Sequence, residues 1–473
     1  MFWFLMACKQ YSFKYDQCQS RNDCTTGFGQ GATCESEGFC SPLTIHPRCD
    51  FTIPADYFTN PAQYDQDVVV GHIYDWDREG MTTYASMLAA EKLFEVDDGT
   101  WNEDTSLVMV FCNIQDTDDR FDDNLTKLEA VDVVTNYLTN TLEAPLIVGP
   151  IETREAQKVL EVSQNKAVVI SPTIHPSSLR LNSDSGEQNL FWSLAGTYDQ
   201  MASAFLEILD NPSRDDYRII MQDNLLDGEP ANTISQQNII LNGQSSNIYS
   251  YLASDAVSLS TRIEDVVSLD DTESILFLAD NEQDIHDVIM KMLSYPDVQL
   301  YIPYSYKLTN VLVTIIADST SGNIPFQIRD QLVVIAPKVL QTTSYVDYRE
   351  RFTELQPFPL PEVFIDMYLY GAFAYDATWI TGVAYEWGKA SNLPFTPQNL
   401  SEVFSNISNG SNTPMGWDIN WGKMVEEFQQ GNSVDLSYMV SGNLDIDTEA
   451  QTVTTTYLRY KIAGDFISFE EIE

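Results

Sequence analysis

The stretch from 146 to 179, LIVGPIETREAQKVLEVSQNKAVVISPTIHPSSL, constrains the fold more than any other part of the chain. A short apolar run, Leu146 to Val148, turns at Gly149-Pro150. A helical pattern follows with Ala156, Val159, Leu160 and Ser163 on one face, and a second apolar run, Ala167 to Ile170, ends at Ser171-Pro172. Strand, helix and strand at this spacing form a βαβ unit, whose parallel strands need a right-handed crossover. Thr153 reads as the N-cap of the helix. Its free backbone N–H groups and the positive end of the helix dipole then face the crevice above the carboxyl ends of the strands. In open α/β sheets small ligands bind in that crevice.

The same alternation runs to either side. DVVVGHIYD reads as a buried parallel strand, TTYASMLAAEKLFE as its helix, SLVMVFCNI as the next strand and KLEAVDVVTNYLTN as another helix, together a doubly wound lobe. Near Phe191-Trp192 the pattern restarts. MASAFLEILD, YRIIMQD, ANTISQQNIIL, NIYSYLA, IEDVVSL, ESILFLAD, IHDVIMKMLSY and VQLYIP alternate helix with strand. A chain of 473 residues exceeds one domain, and the expectation is two α/β lobes facing each other across a cleft. LVVIAPKV would return the chain towards the first lobe. PEVFIDMYLYGAFAYDATWITGVAYEWG then reads as a long helix, and the segment from Ser437 onward as a β-meander.

GPIET followed by ISPTIHPSSL, AYDA at 374 to 377 and the late SGNLDID resemble motifs of type I periplasmic solute-binding proteins of the leucine/isoleucine/valine-binding kind. The resemblance covers about residues 66 to 473. It implies a two-lobed α/β fold with a small Cys-rich N-terminal segment outside it. Lobe 1 would comprise 65–190 plus about 335–430, and lobe 2 would comprise 191–334 plus about 431–473. The implied function is capture of a small polar, amino-acid-like solute between the lobes by the lipoprotein component of an ABC importer, in the cell envelope and beside a permease. Carried over residue by residue, Thr153, Thr173 and His175 would contact the ligand's carboxylate. Thr153 has an equal reading as a helix cap. In the second lobe Asp223 and Tyr304 follow strands. The local PYSYK lacks the acid that amino-acid-binding members place near the latter to pair with the ligand's ammonium, so Asp75, Asp77 or Asp223 would have to take that role. An anchored sensory receptor and a ligandless structural lipoprotein are the alternatives.

The loop YDWDREG after the first strand offers Tyr74 and Trp76 for apolar or cation–π contact and Asp75 and Asp77 for a cation. Its D-x-D-x-E-G spacing partly imitates a calcium loop, but the twelfth position is Ser86 instead of the bidentate glutamate. His46, His72, His175 and His286 are scattered without metal or catalytic spacing. No GxSxG or GxxxxGK[ST] occurs either, so the reading is non-enzymatic, without metal or cofactor.

Charge sets the remaining bounds. Seventy Asp plus Glu against 25 Lys plus Arg gives a net charge of -45, which repels phosphate backbones and excludes nucleic acid as a partner. MFWFLMAC ends in a lipobox-like Leu5-Met6-Ala7-Cys8, making Cys8 the candidate lipidation site in a shortened signal over residues 1–8, though a basic n-region is missing. Residues 9–64 read as a Cys-rich module and a Pro-punctuated linker that lets an anchored domain stand off a membrane. Cys18, Cys24, Cys34 and Cys40 sit in a segment too polar to form a core, which points to disulfides in an oxidising compartment over zinc. Three pairings remain open for those four, and Cys49 with Cys112 is a candidate further bridge.

Overall fold

A computed structural model describes residues 17–471 apart from 20, 22, 25–30, 35–36, 61–63, 65–67, 77–79, 97–106, 117–120, 122, 175–178, 180–189, 210–216, 224–230, 232, 237, 239–246, 270–271, 319–324, 340–341, 356–368, 409, 415–419, 438 and 464–467. The lipobox and Cys8 therefore lie outside the described residues. Among those described, no helix is long and apolar enough to cross a membrane.

The Cys-rich segment is a small hairpin of β1 (Ala32–Cys34) and β2 (Cys40–Pro42), stapled by Cys18–Cys34 and Cys24–Cys40. It does not hang on a flexible tether. Arg21, buried, donates from its guanidinium to the Leu142 carbonyl (2.9 Å) and the Tyr57 hydroxyl (2.9 Å), and its backbone N–H donates to Glu143 (2.5 Å). Thr33 adds a hydroxyl bond to the Thr141 carbonyl at 3.2 Å. Carbonyls at the end of a helix lack intrahelical donors, and a forked guanidinium satisfies them well. The supposed linker is likewise bound to the first lobe. β3 (Phe51–Ile53) pairs with the second core strand, Tyr57 is fully buried, and Cys49–Cys112 closes the join.

The first lobe contains β4 (Val68–Tyr74), β5 (Leu107–Asn113), β6 (Leu146–Val148), β7 (Val168–Ser171) and β8 (Phe191–Ser193). Their spatial order is β5-β4-β6-β7-β8, all parallel, with β3 on the outer edge. The helices α1 (Gly80–Val96), α2 (Lys127–Asn136) and α3 (Thr153–Ser163) connect them. Every residue of β4 is buried: Val68, Val70 and Tyr74 face one core, Val69 and Ile73 the other, as a parallel strand covered on both faces requires. In the second lobe α4 (Tyr198–Ile208), α5 (Ala256–Val267), α6 (Glu282–Met292) and α7 (Tyr306–Asp318) alternate with β9 (Tyr217–Gln222), β10 (Ile248–Tyr251), β11 (Ser274–Leu278), β12 (Gln299–Pro303) and β13 (Leu332–Pro337). The order β10-β9-β11-β12-β13 repeats that of the first sheet.

Three segments join the lobes and lie together. Tyr457 donates to the Ala195 carbonyl (2.5 Å), the Lys338 N–H to the Thr456 carbonyl (2.7 Å), and the Thr455 N–H to Gln200 Oε1 (3.4 Å). They shift the expected boundaries. LVVIAP is a strand of the second sheet, and the return begins only at Lys338. β14 (Ser411–Pro414) pairs with β15 (Val434–Ser437), while β16 (Ile446–Asp447) and β17 (Thr452–Val453) extend the first sheet beyond β8. Residues 191–193 and 431–453 thus stand with the first lobe, and only β18 (Tyr457–Ala463) and β19 (Ser468–Glu471) close the second sheet. One continuous meander would have needed a single sheet edge. Instead the chain divides its late strands between two.

The long helix α9, preceded by α8 (Thr343–Leu355), spans Leu369–Ala390 and packs on α1. Asp376, from the AYDA tetrapeptide, is fully buried and accepts the N–H groups of Val440 (3.1 Å) and Ser441 (2.7 Å) and the Ser441 hydroxyl (2.5 Å). The two late motifs of the sequence are therefore one interaction. Thr342, at the second crossing, donates to the Met439 carbonyl beside them at 3.2 Å. Asp376→Ala leaves two buried N–H donors unpaired and is expected to lower unfolding free energy by about 2–4 kcal/mol, read from urea midpoints. Arg21→Ala is expected to expose the joint between module and lobe to limited proteolysis, whereas a wild-type digestion pattern would contradict the docking.

Candidate functional site

In a doubly wound sheet the crevice opens where strand order reverses. In the first lobe that point lies between β4 and β6, and in the second between β9 and β11. The loops leaving β6 and β11 face each other across the gap, and with neighbouring loops they enclose a cavity of about 240 Å³. Ile151, Glu152, Thr153, Arg154 and Thr173 line it from the first lobe, and Asp280, Tyr304 and Lys307 from the second. Its walls are aromatic: Tyr198, Phe277, Tyr304, Tyr370 and Tyr457. Tyr304 and Tyr370 meet edge to face at 4.8 Å, and the Tyr370 hydroxyl donates to the Tyr304 carbonyl at 3.0 Å.

Gly149 positions the first-lobe loop. It has φ +85°, and a Cβ there would stand 2.5 Å from the Ile73 carbonyl oxygen, so only glycine lets the chain turn so close to β4. The helix α3 then begins at Thr153, with Glu152 as N-cap and no side-chain hydrogen bond to the first amides. Thr153 is thus the first helical residue and not the cap. The amides it introduces are not capped by the Glu152 side chain, as anion binding at a helix start requires.

Comparison of the sequence with protein-family models and with curated proteins finds no match. Solved structures do match. A solute-binding protein of an ABC transporter from R. palustris, in complex with 4-hydroxybenzoate, aligns with a TM-score of 0.59 at 11% identity, covering 86% of this chain and 96% of that one. A branched-chain amino acid substrate-binding protein of Streptococcus pneumoniae with isoleucine gives 0.56 at 10% identity, covering 86% and 100%. One from Desulfitobacterium hafniense with Leu gives 0.55 at 13%, covering 86% and 100%. The chain has the type I periplasmic-binding-protein fold. The structural neighbours are of the kind that the sequence motifs resemble.

Within this fold the expected residues fare unequally. Thr153, Thr173 and Tyr304 reach the cavity. Thr173 does so with its hydroxyl already donating to the Ile151 carbonyl at 2.9 Å, which pins the two first-lobe loops together. Tyr74 does not reach it: fully buried in the first-lobe core, its hydroxyl lies 2.8 Å from that of Ser86. Trp76 packs edge-on against Phe51. Asp223 lies beside β10, its N–H donating to the Tyr251 carbonyl, and does not line the cavity. His175 and Asp77 lie outside the described residues. Asp280, which follows β11 at the switch point of the second sheet, is a cavity-lining acid that the sequence reading did not name. Sequence reasoning could have found it as the terminal residue of LFLAD. Arg154, Lys307, Tyr198, Tyr370 and Tyr457 gave no such signal, because the folding of distant segments brings them together.

Asp75 has a partner inside the first lobe. Lys127 Nζ lies 3.2 Å from Asp75, 2.5 Å from Glu155 and 3.8 Å from Glu152. Burial pushes the Glu155 carboxyl up to about 7, opposed by Lys127 and aided by Glu152 and Asp75. A carboxyl raised in the folded state binds more protons there than in the unfolded chain. Its contribution is full below the ordinary glutamate range and is lost as pH rises through about 7. Glu155→Gln is therefore expected to gain stability relative to wild type between about pH 5 and pH 8, by on the order of 1–2 kcal/mol, in paired denaturant titrations.

Proposed function

We propose that the protein captures a small, charged, amino-acid-like solute between its lobes, without catalysing a reaction on it. The observation that carries this reading is the cavity at the two facing switch points, which offers charges of both signs against an aromatic wall. At about 240 Å³ it falls below the roughly 300–1,000 Å³ of pockets for drug-sized ligands, so it suits one small molecule. The start of α3, with Arg154 and Lys307, provides for a carboxylate, Asp280 and Glu152 for an ammonium, and the tyrosines for an apolar or aromatic remainder. In the structure these charges pair across the gap: Glu152 with Lys307 at 3.1 Å and Arg154 with Asp280 at 3.8 Å.

Neighbours bound to isoleucine, Leu and 4-hydroxybenzoate support a carboxylate-bearing ligand. In this reading the closed lobes would present their joint surface to an ABC permease, and the protein would work in the cell envelope. The lipid anchor at Cys8 belongs to the same proposal.

Native mass spectrometry of protein purified without denaturation, followed by calorimetric titration with the common amino acids, tests it. A retained small mass or a heat of binding is expected, and absence of both across the panel would withdraw the reading. Asp280→Asn is expected to weaken binding of a zwitterion tenfold or more, equivalent to about 1.4 kcal/mol, while sparing a ligand that lacks an amine.

A further inference from the structure

The cavity's charges continue into the first lobe as a single row. Asp75 at the end of β4, Glu155 on α3, Lys127 at the start of α2 and Glu152 before α3 belong to one lobe and move together. Lys307 on α7 belongs to the other, and it closes the row by its ion pair with Glu152 at 3.1 Å and its bond to the Asp280 carbonyl at 2.5 Å. Among the described residues, the row with Lys307 in place sets three carboxylates against two ammonium groups. When the lobes part, three carboxylates face one. A buried acid cluster that loses a cation gains affinity for protons.

From this geometry we infer that closure of the lobes releases a proton from the row, so that capture is linked to pH, with Glu155 as the group that titrates. The inference rests on the capture reading for its biological use, but the linkage itself concerns the lobes alone.

The direction follows from how Lys127 is shared. When Glu155 is ionised it holds Lys127 at 2.5 Å, and Glu152 is left to Lys307. When Glu155 is protonated, Lys127 turns to Asp75 and Glu152 and competes with Lys307. Raising pH therefore tightens the clasp and lowering it loosens the clasp. The position of Glu155 at about 7, set first by burial and opposed by Lys127, places this change near neutrality. Among the described residues, the nearby charges on α3 have partners of their own. Lys158, one turn along α3, pairs with Asp132 at 3.0 Å and with Glu161 at 3.4 Å, and Arg154 faces Asp280 at the rim.

Spin labels at Glu161→Cys on α3 and Val257→Cys on α5, in a Cys8→Ser background, would read the interlobe distance in ligand-free protein by electron–electron resonance. Both positions are exposed. The distance distribution should shift towards the closed form as pH rises from 5.5 to 8.5, with a midpoint near 7, and Glu155→Gln should abolish the shift. Lys307→Gln, a substitution on the cleft side that leaves the buried core intact, should abolish it as well. A pH-independent distance in wild type, or a shift that survives in either variant, would overturn the inference. Native mass spectrometry separates the two readings: no retained solute with the pH response intact removes capture and keeps the linkage, while retained solute with a flat pH response does the reverse.

Discussion

Parallel strands have to be covered on both faces, and in this chain that requirement leaves one way for a ligand to approach. Helices close both faces of each sheet, so the carboxyl ends of the strands are the open rim, and the loops there carry backbone groups that no ladder satisfies. Two such rims face each other because three crossing segments, bound to one another at Ala195, Lys338 and Thr455 to Tyr457, keep the lobes in register. The cavity is the consequence. Its residues come from the loops after β6, β7, β11, β12 and β13 and from the starts of α3, α4 and α9, and no contiguous motif could have encoded it.

That division explains what could be read from the sequence and what could not. The two α/β lobes and the helix at Thr153 were legible because the lobes depend on local periodicity and the helix on a turn at Gly149-Pro150. The places of Thr153 and Thr173 at the cavity were legible because the first follows that turn and the second follows the turn at Ser171-Pro172. Tyr74, Trp76 and Asp75 were misplaced for a shared reason. They follow the first strand, where a ligand would be approached from above, but the loop folds down onto β5 and α2, and Lys127 takes Asp75 from 52 positions away along the chain. The second-lobe acid at the cavity is Asp280, after β11, and not a residue beside Tyr304, after β12. Two loops on the same rim are interchangeable as sources of a charge in space, but they are not interchangeable along the sequence.

The basic residues show a second constraint. Only 25 lysines and arginines stand against 70 acids, and several of them lie at joints between units. Arg21 fixes the Cys-rich hairpin, Lys127 holds α2 to the ends of β4 and α3, and Lys307 bridges the lobes. Arg48 grips Asp123 with two bonds of 2.7 Å and the Asn113 and Gln115 carbonyls with the rest of its fork. In an acidic chain a cation at a joint gains from the whole surrounding field as well as from its nearest partner. Replacing Lys127 with a neutral residue removes the cation that stands between Asp75 and Glu155.

This bears on how far the lobes can be held together by charge alone. The surplus of acid is spread along the chain, so two lobes of like sign repel one another at low ionic strength, and the clasp at Glu152 and Lys307 works against that repulsion. Added salt screens the long-range repulsion over a Debye length of about 8 Å at 0.15 M. The 3.1 Å pair, with its partly buried side chains, is screened less. Salt therefore favours the closed arrangement, the reverse of what an isolated surface ion pair would show. In this acidic protein the short-range pair and the long-range field are opposed, and the buried carboxyl of Glu155 sits where a single proton can alter the balance.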